Sequence, residues 1–187
     1  IVERLKAVVP EYFGEDIAHV TEHAIEFQLP WLQTNPAVTR PVAIVPVLAS
    51  FSAMSLSDPS VRAAVDRFIA VLRETIRASG KAVCVVAAGE LAHLGMRYGD
   101  SAPPTDFSFH RSMQYDLEML KHVEDLKPED FAGYIQKEKD QRRISGFSPI
   151  YCLLRLIDAE KGQVLRYDRG ITDQYNSTVT YASMSFF

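Results

Sequence analysis

His19, Glu22 and His23 stand together in His19-Val-Thr-Glu22-His23, and Glu26 follows closely. Two imidazoles four apart with a carboxylate between them match H-x-x-E-H, the inverted zinc-protease pattern, in which the acid activates a zinc-bound water. That chemistry needs both histidines on one helical face and a third ligand, usually an acid on a distant helix. Glu90 is the nearest suitable acid, but it stands just beyond an apolar run that reads as a strand, and the sequence after His23 soon meets Pro30. Two other readings rank above the protease. In one, His19 and His23 are hydrogen-bonded structural groups at a helix start. In the other, the whole segment HVTEHAIEFQLPWLQ (19–33) sets titratable groups into an apolar wall that ends in Pro30 and Trp31, as a polar pocket in a hydrophobic surface requires.

A second constellation is AAGELAHLG (87–95), where Glu90 and His93 are three apart between Gly89 and Gly95. A carboxylate and an imidazole at that spacing can share one face of a turn, and imidazole is the natural proton carrier near neutral pH. The plainer alternative is a helix-capping Glu90 and a His93 that only hydrogen-bonds the loop. The position just after a strand favours function, since sites in open α/β sheets gather at the carboxyl ends of strands. The third constellation is ISGFSP (144–149). Ser145 and Gly146 open a helix there, whose backbone N–H groups could hold an anion or a reacting oxygen; an N-cap serine is the simpler reading. His110 and His122 fall on a helix surface and carry no assigned role. No G-x-S-x-G elbow, Walker loop, Rossmann glycine set or C-x-x-C occurs.

The elements that must position these groups follow from pattern. Residues 41–49 (PVAIVPVLA) and 81–88 (KAVCVVAA) read as buried strands, the second apolar almost without alternation and so expected inside a sheet covered on both faces. Ser57 and Asp58 before Pro59 announce a helix over 59–79, with Val61, Val65, Phe68, Ile69, Leu72 and Ile76 on one face and Gly80 as its stop. Asp106 is expected to cap a helix over 107–123. Lys127-Pro128-Glu129 starts another, to about Lys139, and EKDQRR (138–143) reads as its solvated end. Residues 150–159 are helical. GQVLRYD (162–168) and STVTYASMSFF (177–187) form a closing hairpin, the latter alternating through Val179, Tyr181, Ser183 and Ser185.

At 187 residues, with 47% hydrophobic and 24% charged side chains, the chain suits one globular α/β domain, 1–187. The net charge of -4 argues against a nucleic-acid surface. No apolar run reaches a membrane span, and Glu3, Arg4 and Lys6 interrupt any signal-like start. Two cysteines make no disulfide framework; Cys84, in an apolar run, is expected to be a buried thiol in a reducing cytoplasm. The first residue is Ile1 rather than Met, as in a piece of a longer protein.

Taken together, EHAIEFQLPWLQ (22–33), VVAAGELAHLGMRYGD (85–100), SGFSPI (145–150) and the ending LRYD…STVTYASMSFF resemble the Memo-like family, component B of the AmmeMemoRadiSam system, in order along essentially the whole chain. The first block is the most specific, with Ala24 where the family carries serine. The resemblance implies a fold like the class III extradiol dioxygenases: a central mixed sheet flanked by helices, here the C-terminal portion without its N-terminal part. It also implies a non-haem metal site, with iron or copper in a full-length form. The family's two ligand histidines lie in P-H-A-G-like and G-P-S-H-like segments that this chain lacks. Its third ligand, a cysteine, is replaced by Ser145, a poor ligand beside a thiolate. No complete metal site is therefore expected in these residues. The acid of the family's S-D-x-x-H segment becomes Glu90, and the dioxygenase-like histidine becomes His93. The implied roles are His93 as acid/base, Glu90 as its partner, and His19, Glu22, His23, Glu26, Ser145 and Gly146 around a small organic substrate. The competing expectation is a non-enzymatic module that binds a peptide or protein in the same pocket. Neither nucleic acid nor membrane is an expected partner.

Overall fold

The computed structural model covers the 187 residues and describes residues 1–14 and 16–187. Seven α-helices and three strands are formed among them: α1 (Val2–Val8), α2 (Asp16–Thr21), α3 (Gln28–Thr34), α4 (Pro59–Ala78), β1 (His93–Leu94), α5 (Asp106–Glu124), α6 (Pro128–Lys137), α7 (Phe147–Leu156), β2 (Gly162–Ile171) and β3 (Thr178–Phe186).

Helix α4 forms where its signals place it. The Asp58 carboxylate accepts the Ser60 N–H at 2.8 Å, Pro59 takes a first-turn position that needs no donor, and Gly80 adopts φ +62° beyond the end. Its apolar face buries Ile69 and Leu72. Leu72 closes a small cluster with Leu5 and Val9. For α5 the cap is Thr105 rather than the expected Asp106: Thr105 Oγ1 accepts the Ser108 N–H at 3.1 Å, and Ser108 Oγ accepts the Thr105 N–H at 2.8 Å. This reciprocal capping box leaves Asp106 in the first turn, where its charge suits the helix dipole. Helix α7 starts three residues before the expected 150, because Pro149 falls in its first turn, where no N–H is required.

The main core joins α5, α6 and α7. Met119, Leu120, Val123, Phe131, Ile135 and Tyr151 are fully enclosed, and Phe147 is buried beside them. The sheet is small and wholly antiparallel, in the order β1-β3-β2, rather than the expected mixed one. The expected closing hairpin is present, with Gly162 opposite Phe186, Ile171 opposite Thr178 and a bulge between Val164 and Arg166. Tyr167, Ala182, Met184 and Phe186 face the core, while Leu165 and Tyr181 face solvent.

Three further expectations are corrected. Residues 41–49 and 81–88 form no strand, and most of their side chains are exposed. Their β-branched composition suits a pleated surface, but a strand exists only against a partner. Cys84 is accordingly exposed rather than buried. The EKDQRR run is not simply solvated: Arg142 is buried, paired with Asp116 and, at 2.8 Å, with Glu138.

Candidate functional site

Glu90 and His93 meet. His93 begins β1 opposite Val179, its N–H donates to Arg142 O at 2.8 Å, and this backbone anchoring fixes where the ring can reach. Nδ1 lies 3.1 Å from Leu91 O and 2.9 Å from Arg143 O. Both oxygens are acceptors only, so Nδ1 carries a proton and donates it. Nε2 lies 3.1 Å from Glu90 Oε2. A favourable contact there requires one further proton, on Nε2 or on Oε2. The ring edge packs on Tyr98 with centroids 4.8 Å apart. The His93 side chain is 13% exposed and that of Glu90 50%, so the pair presents its acid to solvent and keeps its imidazole covered.

Ser145 and Gly146 join this pair through backbone. Gly146 N–H donates to Glu90 O at 2.7 Å, and Ser145 Oγ reaches the same oxygen at 3.4 Å. The approach is so close that a Cβ on Gly146 would lie 2.6 Å from Glu90 O, and one on Gly89 would lie 2.6 Å from Gly146 Cα. The Gly146 N–H is thus committed and not open to an anion, contrary to expectation. Ser145 makes no capping bond to α7, whose N-cap is Gly146. Glu90 caps no helix.

The sequence reading overlooked Arg143, Asp100 and Tyr98. Arg143 accepts from the His93 ring through its carbonyl and donates from Nη1 to His93 O at 3.1 Å, while Nη2 pairs with Asp100 at 2.8 Å. Asp100 in turn accepts the Gly95 N–H at 2.7 Å. Arg143 holds φ +54°, a conformation uncommon for a side-chain-bearing residue, and this turns its carbonyl toward His93. Gly95, at φ +109°, was a visible signal for the loop that carries Asp100.

The first constellation does not join them. Helix α2 ends at Thr21, so Glu22 and His23 lie beyond it and the two histidines share no helical face. The zinc-protease geometry is therefore not formed. His19, His23 and Glu26 are exposed, and Glu22 turns back to accept the Ala24 N–H at 2.7 Å. His23 packs on Phe27. No hydrogen bond, ion pair or ring contact among the described residues links His19, Glu22, His23 or Glu26 to Glu90 or His93.

Among the described residues, no three His, Cys, Asp or Glu side chains converge as a metal site needs. Glu90 and His93 are bonded to each other, and the Ser145 hydroxyl is a neutral, weak ligand. These donors do not by themselves fit a resident iron or copper. No helix among the described residues is long and apolar enough to cross a membrane.

An α/β chain of helices over a small antiparallel sheet, with an acid–imidazole pair beside β1, is the class this structure defines. By sequence it belongs to the Memo-like family, whose model, described as "Memo-like protein", matches residues 1–185. It is similar to MEMO1 family proteins of Thermococcus kodakarensis, at 26% identity over 181 residues (92% of this chain, 58% of that protein), and of Aquifex aeolicus, at 23% over 190 residues (100% and 46%). A MEMO1 family protein of Thermococcus onnurineus matches at 24% over 178 residues, 92% of this chain and 58% of that protein. The chain spans about half the length of these curated relatives.

Proposed function

We propose that this chain supplies the acid/base wall of a pocket like that of the class III extradiol dioxygenases, acting on a small organic molecule. The observation that carries this reading is the Glu90–His93 contact, with Nδ1 held by two carbonyls and Nε2 left to share a proton with the carboxylate. The half-exposed Glu90 carboxylate takes or gives the proton of a substrate hydroxyl, His93 Nε2 shares that proton and stabilises the carboxylate, and the pair exchanges it with solvent through Glu90. Arg143, tied to Asp100, fixes the ring's orientation. Iron or copper, if part of the full-length form, takes its ligands from outside the donors assembled here.

The test uses the full-length form, reconstituted anaerobically with iron or copper and analysed for bound metal. It is then titrated with 4-nitrocatechol, whose absorbance reports loss of its hydroxyl proton. The expected outcome is a deprotonated bound probe, with His93→Ala weakening binding by about tenfold, the equivalent of about 1.4 kcal/mol. If no metal is retained and His93→Ala binds the probe unchanged, the enzyme reading fails.

A second reading is favoured by Ser145, which stands where the family carries cysteine, and by the commitment of the Gly146 N–H to Glu90. Here the pocket only binds, holding a peptide or a partner protein, and His93→Ala leaves every chemical readout unmoved while weakening that partner.

A further inference from the structure

A cleft of about 650 Å³ opens between α5 and the end of α6, a size that suits a small organic molecule. Glu90, His93 and Ser145 do not line it. Its lining carries three cations and three carboxylates, and half of these charges are already compensated. Arg142 is held by Asp116 and Glu138, and Asp100 is paired with Arg143. Among the described residues, neither Arg111 nor Lys137 forms an ion pair. Glu118 likewise meets no cation there, and only the Tyr134 hydroxyl donates to it, at 2.9 Å.

The floor of the cleft supplies an independent sign. Ser112 is 3% exposed, yet its hydroxyl has no hydrogen-bond partner among the described residues. Buried hydroxyls nearly always find a partner, and in a helix the carbonyl one turn back is a common one. Helical spacing puts Arg111, Tyr115 and Glu118 on one face of α5, with Ser112 three residues before Tyr115. Arg111 Nε donates to the Tyr115 hydroxyl at 3.2 Å. This lays the guanidinium along that face, with Nη1 and Nη2 free of partners among the described residues. Leu94 and Phe107 supply apolar wall.

We propose that this cleft binds a small zwitterion, an α-amino acid with an apolar side chain. The Arg111 fork and the Lys137 ammonium hold its carboxylate, and the Ser112 hydroxyl donates to the same group. Glu118 accepts from its ammonium, and its side chain lies against Leu94 and Phe107. A plain anion would set its charge against Glu118, and a plain cation would face Arg111 and Lys137. A ligand carrying both charges meets all three groups. The inference stands whether or not the Glu90–His93 pair moves a proton.

The test titrates the full-length protein calorimetrically with L-leucine, L-methionine and L-phenylalanine in turn. Each is compared with the same skeleton lacking the carboxylate or the ammonium; for L-phenylalanine these are 2-phenylethylamine and 3-phenylpropionate. The expected result is saturable binding of at least one amino acid, with both of its truncated analogues several-fold weaker. Arg111→Gln, Glu118→Gln and Ser112→Ala should each weaken it several-fold with the far-ultraviolet helix signal intact, while His93→Ala leaves it unmoved. Binding of none of the three amino acids would overturn the proposal. So would a truncated analogue that binds as tightly as its parent, or an affinity indifferent to Arg111→Gln and Glu118→Gln.

Discussion

The two cysteines show how much placement governs chemistry at a single residue. Burial pushes the Cys152 thiol up to about 11, with Arg155 only partly opposing it. At pH 8 about one thiol in a thousand is then the reactive thiolate. Cys84 lies exposed on the 81–88 segment. Iodoacetamide at pH 8 should therefore modify Cys84 within minutes and leave Cys152 untouched until the protein is unfolded. Peptide mass spectrometry reads both sites, and equal labelling in the folded protein would refute the placement of Cys84. This is also where the sequence misleads, because an apolar run looks the same whether or not a partner covers it. Glu90 and His93 were legible, since a three-residue spacing brings them together whatever the distant chain does. Arg143 and Asp100 were not, because the contact joins residues far apart in sequence through an unusual backbone angle. The His19–His23 pair misled for the opposite reason: its meaning depended on a helix continuing past Thr21, and it does not.

At the scale of elements, capping signals were the most readable part of the chain, and α4 carries a testable one. The Ser60 hydroxyl and N–H hold the Asp58 carboxyl below the usual carboxylate range. A folded value below the unfolded one means that the contribution is full above the unfolded range and is lost as pH falls through the folded value. Asp58→Asn keeps an acceptor but removes the titration. Its unfolding midpoint in urea should fall less between pH 5 and pH 2.5 than that of the parent; parallel losses would discount the cap. The joint between the 87–95 loop and the start of α7 carries another prediction. Gly146→Ala drives a methyl against Glu90 O, so the Gly146–Glu90 bond must open and the His93 anchor must shift. The expected readout is displaced His93 and Glu90 resonances with an intact far-ultraviolet helix signal. Unchanged resonances would show the joint to be slack. The missing strands belong to this scale as well. Hydrophobic pattern announces a willingness to pair, and only the rest of the fold supplies the neighbour.

The whole molecule is tied together by one buried polar cluster. Asp116 of α5 is fully enclosed and receives Arg142 from the turn after α6, Tyr167 of β2 at 2.8 Å and Thr180 of β3 at 2.6 Å. Four pieces of chain that share no local sequence thus converge on one carboxylate. Burial pushes this carboxyl upward, and Arg142, Thr180 and Tyr167 oppose that shift. Such a site penalises a missing partner more than a missing pair, because a lone buried charge keeps its desolvation cost and loses its compensation. Asp116→Ala leaves Arg142 with Glu138 alone and should cost about 3–5 kcal/mol in urea unfolding. Arg142→Met alone strands Asp116 and should cost a similar amount. The double variant removes both charges and fills part of the space with an apolar side chain, so its cost should be well below the sum of the two. An additive double variant would mean that the four elements are held by their apolar core alone and that the cluster merely fits between them.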